Sequence, residues 1–417
     1  MKRILMAIAL LAACTGNVAA QEGAIPTGIP HLDHVFVIMM ENHGYGEIIN
    51  NPNAQYINQY ARQSNLANNY FAVAHPSLTN YLEVVGGSNF GVQSDNPPDW
   101  YNGQCQPNLF TGIPNTDNPS SPAVCPIRGH GTDAATPALD CMNEVTGPPC
   151  EVNVDGKVSY SAVSTTLGIT IADQLVTAGK SWKSYQENLP MTGARRVNYS
   201  DGNFTNNTNF AAFKPQLDPP LNSGEIVQLY AAKHNPFVYF QNVQLSTTPG
   251  LRMTNVVGFD GAGGLWSDLG SGNIPSYAFI APNQCNDQHG RGNGTAFCGY
   301  DPNNNGTQSG LNPALIMLGD QAIQKIVTAI HASPAWTIGN NAIVVVWDEN
   351  DYSLQPVNNR VMAIVDTNYG VHGVQSGAYY THFSLLRSIE GGLGLPCLNH
   401  ACDANTATMT DLFAAAQ

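Results

Sequence analysis

The chain has 417 residues, 43% of them hydrophobic, with 16 Lys+Arg against 30 Asp+Glu and a formal net charge of -14. That much apolar material excludes intrinsic disorder, and the anionic balance argues against a nucleic-acid partner, which needs a cationic face. After the N-terminus no apolar run approaches the ~20 residues of a membrane span, and 40 Gly and 27 Pro point to long loops over a buried sheet.

Met1-Lys2-Arg3 followed by the apolar Ile4 to Ala13 reads as an export signal. Two processing sites stay open. Val18-Ala19-Ala20 before Gln21 would end a plain signal peptide of residues 1–20. Leu11-Ala12-Ala13-Cys14 resembles a lipoprotein box, which would end the leader at residue 13 and leave Cys14 lipidated. Either way a periplasmic or secreted protein is expected, with residues 21–417 as one domain. Eight further cysteines remain: Cys105, Cys125, Cys141, Cys150, Cys285, Cys298, Cys397 and Cys402. An even number in an exported chain implies disulfides. Proximity favours Cys285–Cys298 and Cys397–Cys402 and leaves the first four to pair among themselves.

His34 to Met40 is a continuous apolar run, predicted to be a buried strand. Tyr56 to Ser64 is predicted helical, as is Ser77 to Val85, which stops at Gly86-Gly87. Residues 89–165, rich in Asn, Pro, Gly and Cys, read as a disulfide-stapled insertion. Helices follow over Thr170 to Ala178, Gly224 to Lys233, Leu315 to Ala332 and Thr381 to Glu390. Strands are predicted at Trp182 to Tyr185, Phe237 to Phe240, Ser276 to Ile280, Ala342 to Trp347 and Val361 to Val365. Asn203 to Asn209 reads as a surface loop. Strands alternating with helices predict an α/β fold, a central mostly parallel sheet between helices.

In open α/β sheets, sites lie beyond the carboxyl ends of the strands. Two predicted strands end in acids there: Met40 runs into Glu41-Asn42, and Trp347 into Asp348-Glu349. In a parallel sheet both clusters share one edge. Their repulsion must be offset, and hard oxygen donors suit one divalent metal ion. The competing reading is that each acid caps a following helix. Ser77 stands where a helix begins, which suits a cap but also exposes a hydroxyl beside free N–H groups. A hydroxyl beside a metal can attack phosphorus. His43, His75, His234, His289 and His382 each flank a strand or helix end, and imidazole binds metals, meets phosphate or protonates a leaving group.

Six segments carry a resemblance: Val37 to Asn42, Pro76 to Leu82, Lys233 to Phe240, Tyr277 to Asn283, Val346 to Glu349 and Tyr380 to Glu390. In this order they resemble the bacterial, fungal and plant phosphoesterase family of secreted acid phosphatases and phosphatidylcholine-type phospholipases C. The resemblance implies an alkaline phosphatase-like fold. It implies a metal cluster of Glu41, Asn42, Asp348 and Glu349 completed by the Ser77 hydroxyl. The Ser77-Leu78-Thr79-Asn80 segment is similar to the Thr-Phe-Pro-Asn segment of nucleotide pyrophosphatases, which selects Ser77 over Thr79 as nucleophile. Asp287 and His289 match an Asp/His loop, and His382 a late histidine. Glu349 stands where many superfamily members carry His, which favours one ion over two zincs.

The expected activity is hydrolysis of a small phosphate monoester through phosphoserine at Ser77. Asn42, Asn80, His75 and Asp287 would meet the substrate, and His289, His382 or His234 would steady phosphoryl oxygens or protonate the leaving group. Cationic histidines would give an acid optimum. The alternative is a phospholipase C, and outside enzymes a surface binding protein that kept the fold. Membrane contact is expected only for a lipidated chain or a phospholipase.

Overall fold

The computed structural model describes residues 22–75, 77–90, 168–189, 230–244, 246–290, 298–303, 305–350 and 359–413. The export signal, nearly all of the insertion, Cys105 to Cys150 and the Asn203 to Asn209 loop lie outside the described residues.

A sheet organises the chain. Its central strands are β1 (His34–Met40), β5 (Tyr277–Ala281) and β6 (Asn341–Trp347). Every residue of β5 and β6 is buried, so both faces are covered and neither strand alternates. Including β2 (Asn65–Phe71), β3 (Trp182–Gln186), β4 (Val256–Val257), β7 (Arg360–Thr367), β8 (Gln375–Ser376) and β9 (Tyr380–Thr381), the order is β4-β3-β5-β1-β6-β7-β2-β8, with β9 also pairing β2. β7 runs antiparallel to both its neighbours, and the other pairings are parallel.

Helices cover both faces. On one side α2 (Gln55–Gln63) and α6 (Leu265–Ser271) pack on the long α7 (Pro313–Ala332). On the other, α3 (Ser77–Gly86) packs on α4 (Ile171–Thr177) and α8 (His382–Leu393). The short α1 (Tyr45–Ile48) and α5 (Gln241–Gln244) complete the set. Caps set several boundaries: Thr170 accepts from the Ala172 amide, Asn312 from the Ala314 amide, and Gly394 ends α8 in a left-handed conformation at φ 69°.

Two expectations needed correction. Phe237 to Phe240 is no strand: Pro236–Tyr239 forms a 3-10 turn. Pro236 fixes φ at the first position, and a short, wholly buried apolar run has no period to tell strand from helix. Of the helix expected over Gly224 to Lys233, the described end is a 3-10 turn, Ala232–His234. β2 went unanticipated because Asn65, Asn68 and Asn69 break its apolar pattern. Asn65 is buried all the same, its amide donating to the carbonyls of Val371 and Leu412 at 2.9 and 2.8 Å. Cys285–Cys298 and Cys397–Cys402 are bonded as expected.

Candidate active site

The parallel register of β1 and β6 pairs Met40 with Trp347. Their acidic continuations therefore emerge side by side, with the Asp348 amide donating to the Met40 carbonyl at 2.9 Å. β5 lies on the other flank of β1, and the loop after it brings Asp287, whose carbonyl accepts from the Glu41 amide at 2.8 Å. The edge of three neighbouring strands thus gathers Glu41, Asp287, Asp348 and Glu349, all four buried. Asn42 turns the chain away in the left-handed region at φ 55°. Its amide and that of Glu349 both donate to Asp348 Oδ1, at 3.0 and 2.6 Å.

Ser77 opens α3 and points into this group. Its Oγ lies 3.1 Å from Glu41 Oε2 and 3.2 Å from Glu349 Oε1. A hydroxyl has a single proton, which can serve one of these oxygens at a time. Glu349 is held from behind by His75 Nδ1 at 2.9 Å and Asn80 Nδ2 at 3.1 Å. Asn80 is also an anchor for the chain before α3: its Oδ1 accepts from the Val73 and Ala74 amides. Asn80 and His75, expected to meet substrate, brace Glu349, and Asn80 also braces the chain before α3.

His234 bridges two acids, with Nε2 3.0 Å from Glu41 Oε1 and Nδ1 3.0 Å from Asp287 Oδ2. Each ring nitrogen thus faces an anionic oxygen. Burial opposes the charge, but the two carboxylates overcome it and raise the pKa to about 9. Reciprocally, burial would push Glu41 up, yet His234 and Lys233 hold it well below the usual carboxylate range. The Tyr81 ring stacks on the imidazole, centroids 5.3 Å apart and planes 9° apart. For Asp287 burial prevails and lifts the pKa to about 6. Burial, with repulsion from Glu41 and Glu349, also holds Asp348 well above its ordinary value.

Two histidines expected to act as cations are neutral. Burial, then the Lys233 charge, lowers His289 to about 3. Its Nδ1 faces the Gly290 carbonyl at 2.9 Å and its Nε2 faces Lys233 Nζ at 3.0 Å. Burial lowers His382 to about 4. Its ring is clamped between the Tyr70 hydroxyl, 2.9 Å from Nδ1, and the Asp348 carbonyl, 2.6 Å from Nε2. His382 therefore steadies the backbone that presents Asp348.

Sequence reading missed Lys233 as a site residue; its Nζ donates to Ser77 Oγ at 3.3 Å. A signal existed. In a chain with 16 basic residues, a Lys-His pair next to a predicted buried segment is conspicuous. The 3-10 turn that replaces the expected helix sets the direction of both side chains.

The donor chemistry fits a divalent cation. Asp348 Oδ2 is buried with no hydrogen-bond partner, and two more carboxylates converge on one hydroxyl. Such oxygens suit a hard ion. Glu41, Asp348, Glu349 and Ser77 would hold it, as the resemblance implies; for Asn42 the contact seen is through its backbone amide. Among the described residues a second, mixed set converges as well: Glu41, His234 and His289 offer donor atoms within 4.8 Å of one another.

Residues 49–396 match the phosphoesterase family. The chain belongs to that family. Its membership supports a hydrolase in general terms. Among curated relatives, the acid phosphatase of Aspergillus fumigatus is 24% identical over 375 residues, which cover 89% of this chain and 57% of the relative. The chain thus spans little more than half the length of that fungal protein. The phosphatidylinositol-3-phosphatase of Mycobacterium tuberculosis is 24% identical over 412 residues, covering 98% of this chain and 91% of the relative. Among solved structures, an alkaline phosphatase superfamily protein from Vibrio parahaemolyticus is similar with a TM-score of 0.42 at 10% identity, covering 90% of this chain and 69% of that one.

Proposed function

We propose that this phosphoesterase-family protein is an exported, metal-dependent phosphatase that hydrolyses phosphate monoesters through a phosphoserine at Ser77. The observation that carries the reading is the Ser77 hydroxyl, buried between Glu41 and Glu349 at 3.1 and 3.2 Å with Lys233 on it at 3.3 Å. A hydroxyl among acids, with a cation beside it, is suited to attack an electrophile that brings its own negative charge. A divalent ion held by the carboxylates would lower the hydroxyl pKa and neutralise phosphoryl charge. The protein's own groups do the rest. Glu349 offers the Ser77 proton an acceptor as Oγ bonds phosphorus and the phosphorus–alkoxide bond breaks. The departing oxygen takes a proton from water. The hydroxide so formed attacks phosphorus, the phosphorus–Oγ bond breaks, and Ser77 regains its proton from Glu349. His234, tied to Glu41 and Asp287, keeps Glu41 ionised throughout.

The names of the relatives bear on substrate class. An acid phosphatase and a phosphatidylinositol-3-phosphatase both cleave monoesters, one of them on a lipid headgroup. This favours a monoester over the diester that a phospholipase C cleaves. An acid optimum would have to arise outside His289 and His382, which burial keeps neutral.

The test compares p-nitrophenyl phosphate with p-nitrophenylphosphorylcholine from about pH 4 to about pH 9, with and without chelator. Monoester turnover that disappears in Ser77→Ala, with a phosphoserine trapped on the wild-type chain, is expected. Full turnover by Ser77→Ala removes the nucleophile assignment, and a choline-ester preference moves the function to phospholipase C.

A further inference from the structure

Glu41, His234 and His289 bring donor atoms within 4.8 Å of one another, the arrangement of a cation site beside the carboxylate cluster. A cation of the chain already stands there. Lys233 Nζ lies 3.0 Å from His289 Nε2, in the direction along which that nitrogen would ligate a metal. His289 Nδ1 is committed to the Gly290 carbonyl at 2.9 Å, so Nε2 is the lone-pair nitrogen that receives the ammonium. His234 faces a carboxylate oxygen with each nitrogen at 3.0 Å, Glu41 on one side and Asp287 on the other. The same ammonium reaches Ser77 Oγ at 3.3 Å. Phosphorus bonded to that oxygen places its own oxygens within hydrogen-bond reach of any group so close.

We propose that Lys233 is a catalytic residue: its ammonium contacts the phosphoryl group carried by Ser77 and supplies, from the chain itself, the positive charge that a second divalent ion at Glu41, His234 and His289 would supply. The inference rests on the phosphoserine reading. Lys233 makes and breaks no covalent bond. It offsets charge on the phosphoryl oxygens as the phosphorus–leaving-oxygen bond breaks, and again as water releases the phosphate. His289 is then a positioning residue that aims the ammonium. One divalent ion per chain suffices, held on the carboxylate side of Ser77, because an ion on the Glu41, His234 and His289 side would be pressed against Lys233.

The experiment compares wild type, Lys233→Met, Lys233→Ala, Lys233→Arg and Ser77→Ala as full chains. Inorganic phosphate binding by calorimetry, metal content by mass spectrometry, and monoester kinetics are measured together. In Lys233→Met, phosphate affinity should fall about tenfold or more and kcat/KM about 100-fold, the loss typical of one donor to a transferring group. Metal content should stay at one ion in wild type and Lys233→Met. Lys233→Arg should recover part of the loss, and small alkylamines should partly restore Lys233→Ala. Thermal melts identify any variant that fails to fold, and Lys233→Arg, which keeps the charge, covers that case. The proposal is overturned by two ions per wild-type chain, or by Lys233→Met retaining phosphate affinity. Loss of activity without amine rescue, at unchanged phosphate affinity, also overturns it. Activity in Ser77→Ala strikes the phosphoserine reading instead, and the phosphate-binding comparison still tests Lys233 by itself.

Discussion

Asp348→Asn isolates the argument that the carboxylates form a cation site. Asp348 Oδ1 accepts from two backbone amides, which an asparagine oxygen also does. Its Oδ2 is buried with no hydrogen-bond partner, and the substitution turns that atom into a neutral amide. Glu41 Oε2 and Glu349 Oε1 each lie within 3.2 Å of Ser77 Oγ, so these two charges are no more than about 6 Å apart. At that spacing and an effective dielectric near 20, two like unit charges repel by about 3 kcal/mol. Asp348 adjoins both acids, with its Oδ1 on the amides that follow Glu41 and begin Glu349. Relieving a penalty of that order, borne as charge or as the free energy of holding the buried acid protonated near neutral pH, should stabilise the metal-free protein by about 1–3 kcal/mol. With metal the order should invert, since wild type gains binding free energy that the variant has lost. The assay is urea unfolding near neutral pH, in excess chelator and then across a panel of divalent ions. A chelated variant less stable than wild type, or one that keeps the full metal-linked gain, would refute the cation-site reasoning.

Two further outcomes are open to measurement. Tyr300 is 55% exposed, and its ring lies 5.9 Å from that of His289 at the site; Tyr300→Ala should raise KM for aryl phosphates several-fold with kcat unchanged, and a fall in kcat alone would remove it from the substrate path. Glu390 in α8 is buried, and burial raises its pKa well above the ordinary value despite the Leu398 amide on Oε1 at 2.9 Å. The folded state thus favours its neutral form, so its contribution to stability is present below the unfolded pKa and lost as pH rises through the folded one. Glu390→Gln should match wild type near pH 4 and melt higher near pH 8; equal melting temperatures at both would show that the carboxylate is not neutral by burial.

Much of the site was legible because apolar strands advertise themselves and end abruptly. β1 and β6 are uninterrupted buried runs, and the acids after Met40 and Trp347 could be placed on one edge once a parallel sheet was expected. Ser77 was legible as the polar start of an apolar helix. Cysteine spacing sufficed for Cys285–Cys298 and Cys397–Cys402, since closing a short loop costs little entropy.

What local pattern could not decide was the direction of side chains set by distant partners. Lys233 reaches Ser77 across 156 positions, and His382 is clamped by Tyr70 across 312. Neither contact has a periodic trace. The protonation of each histidine likewise belongs to tertiary structure. His234 is charged because two buried carboxylates face it, whereas His289 and His382 are neutral because burial outweighs what faces them. Residue type and order along the chain thus determined the central strands, the family resemblance and the acids at the sheet edge. Which cation stands beside the hydroxyl was decided only where β1, β5, β6 and α3 meet the turn of Lys233 and His234, because hydrogen bonds and ion pairs act over a few ångströms whatever the separation along the chain.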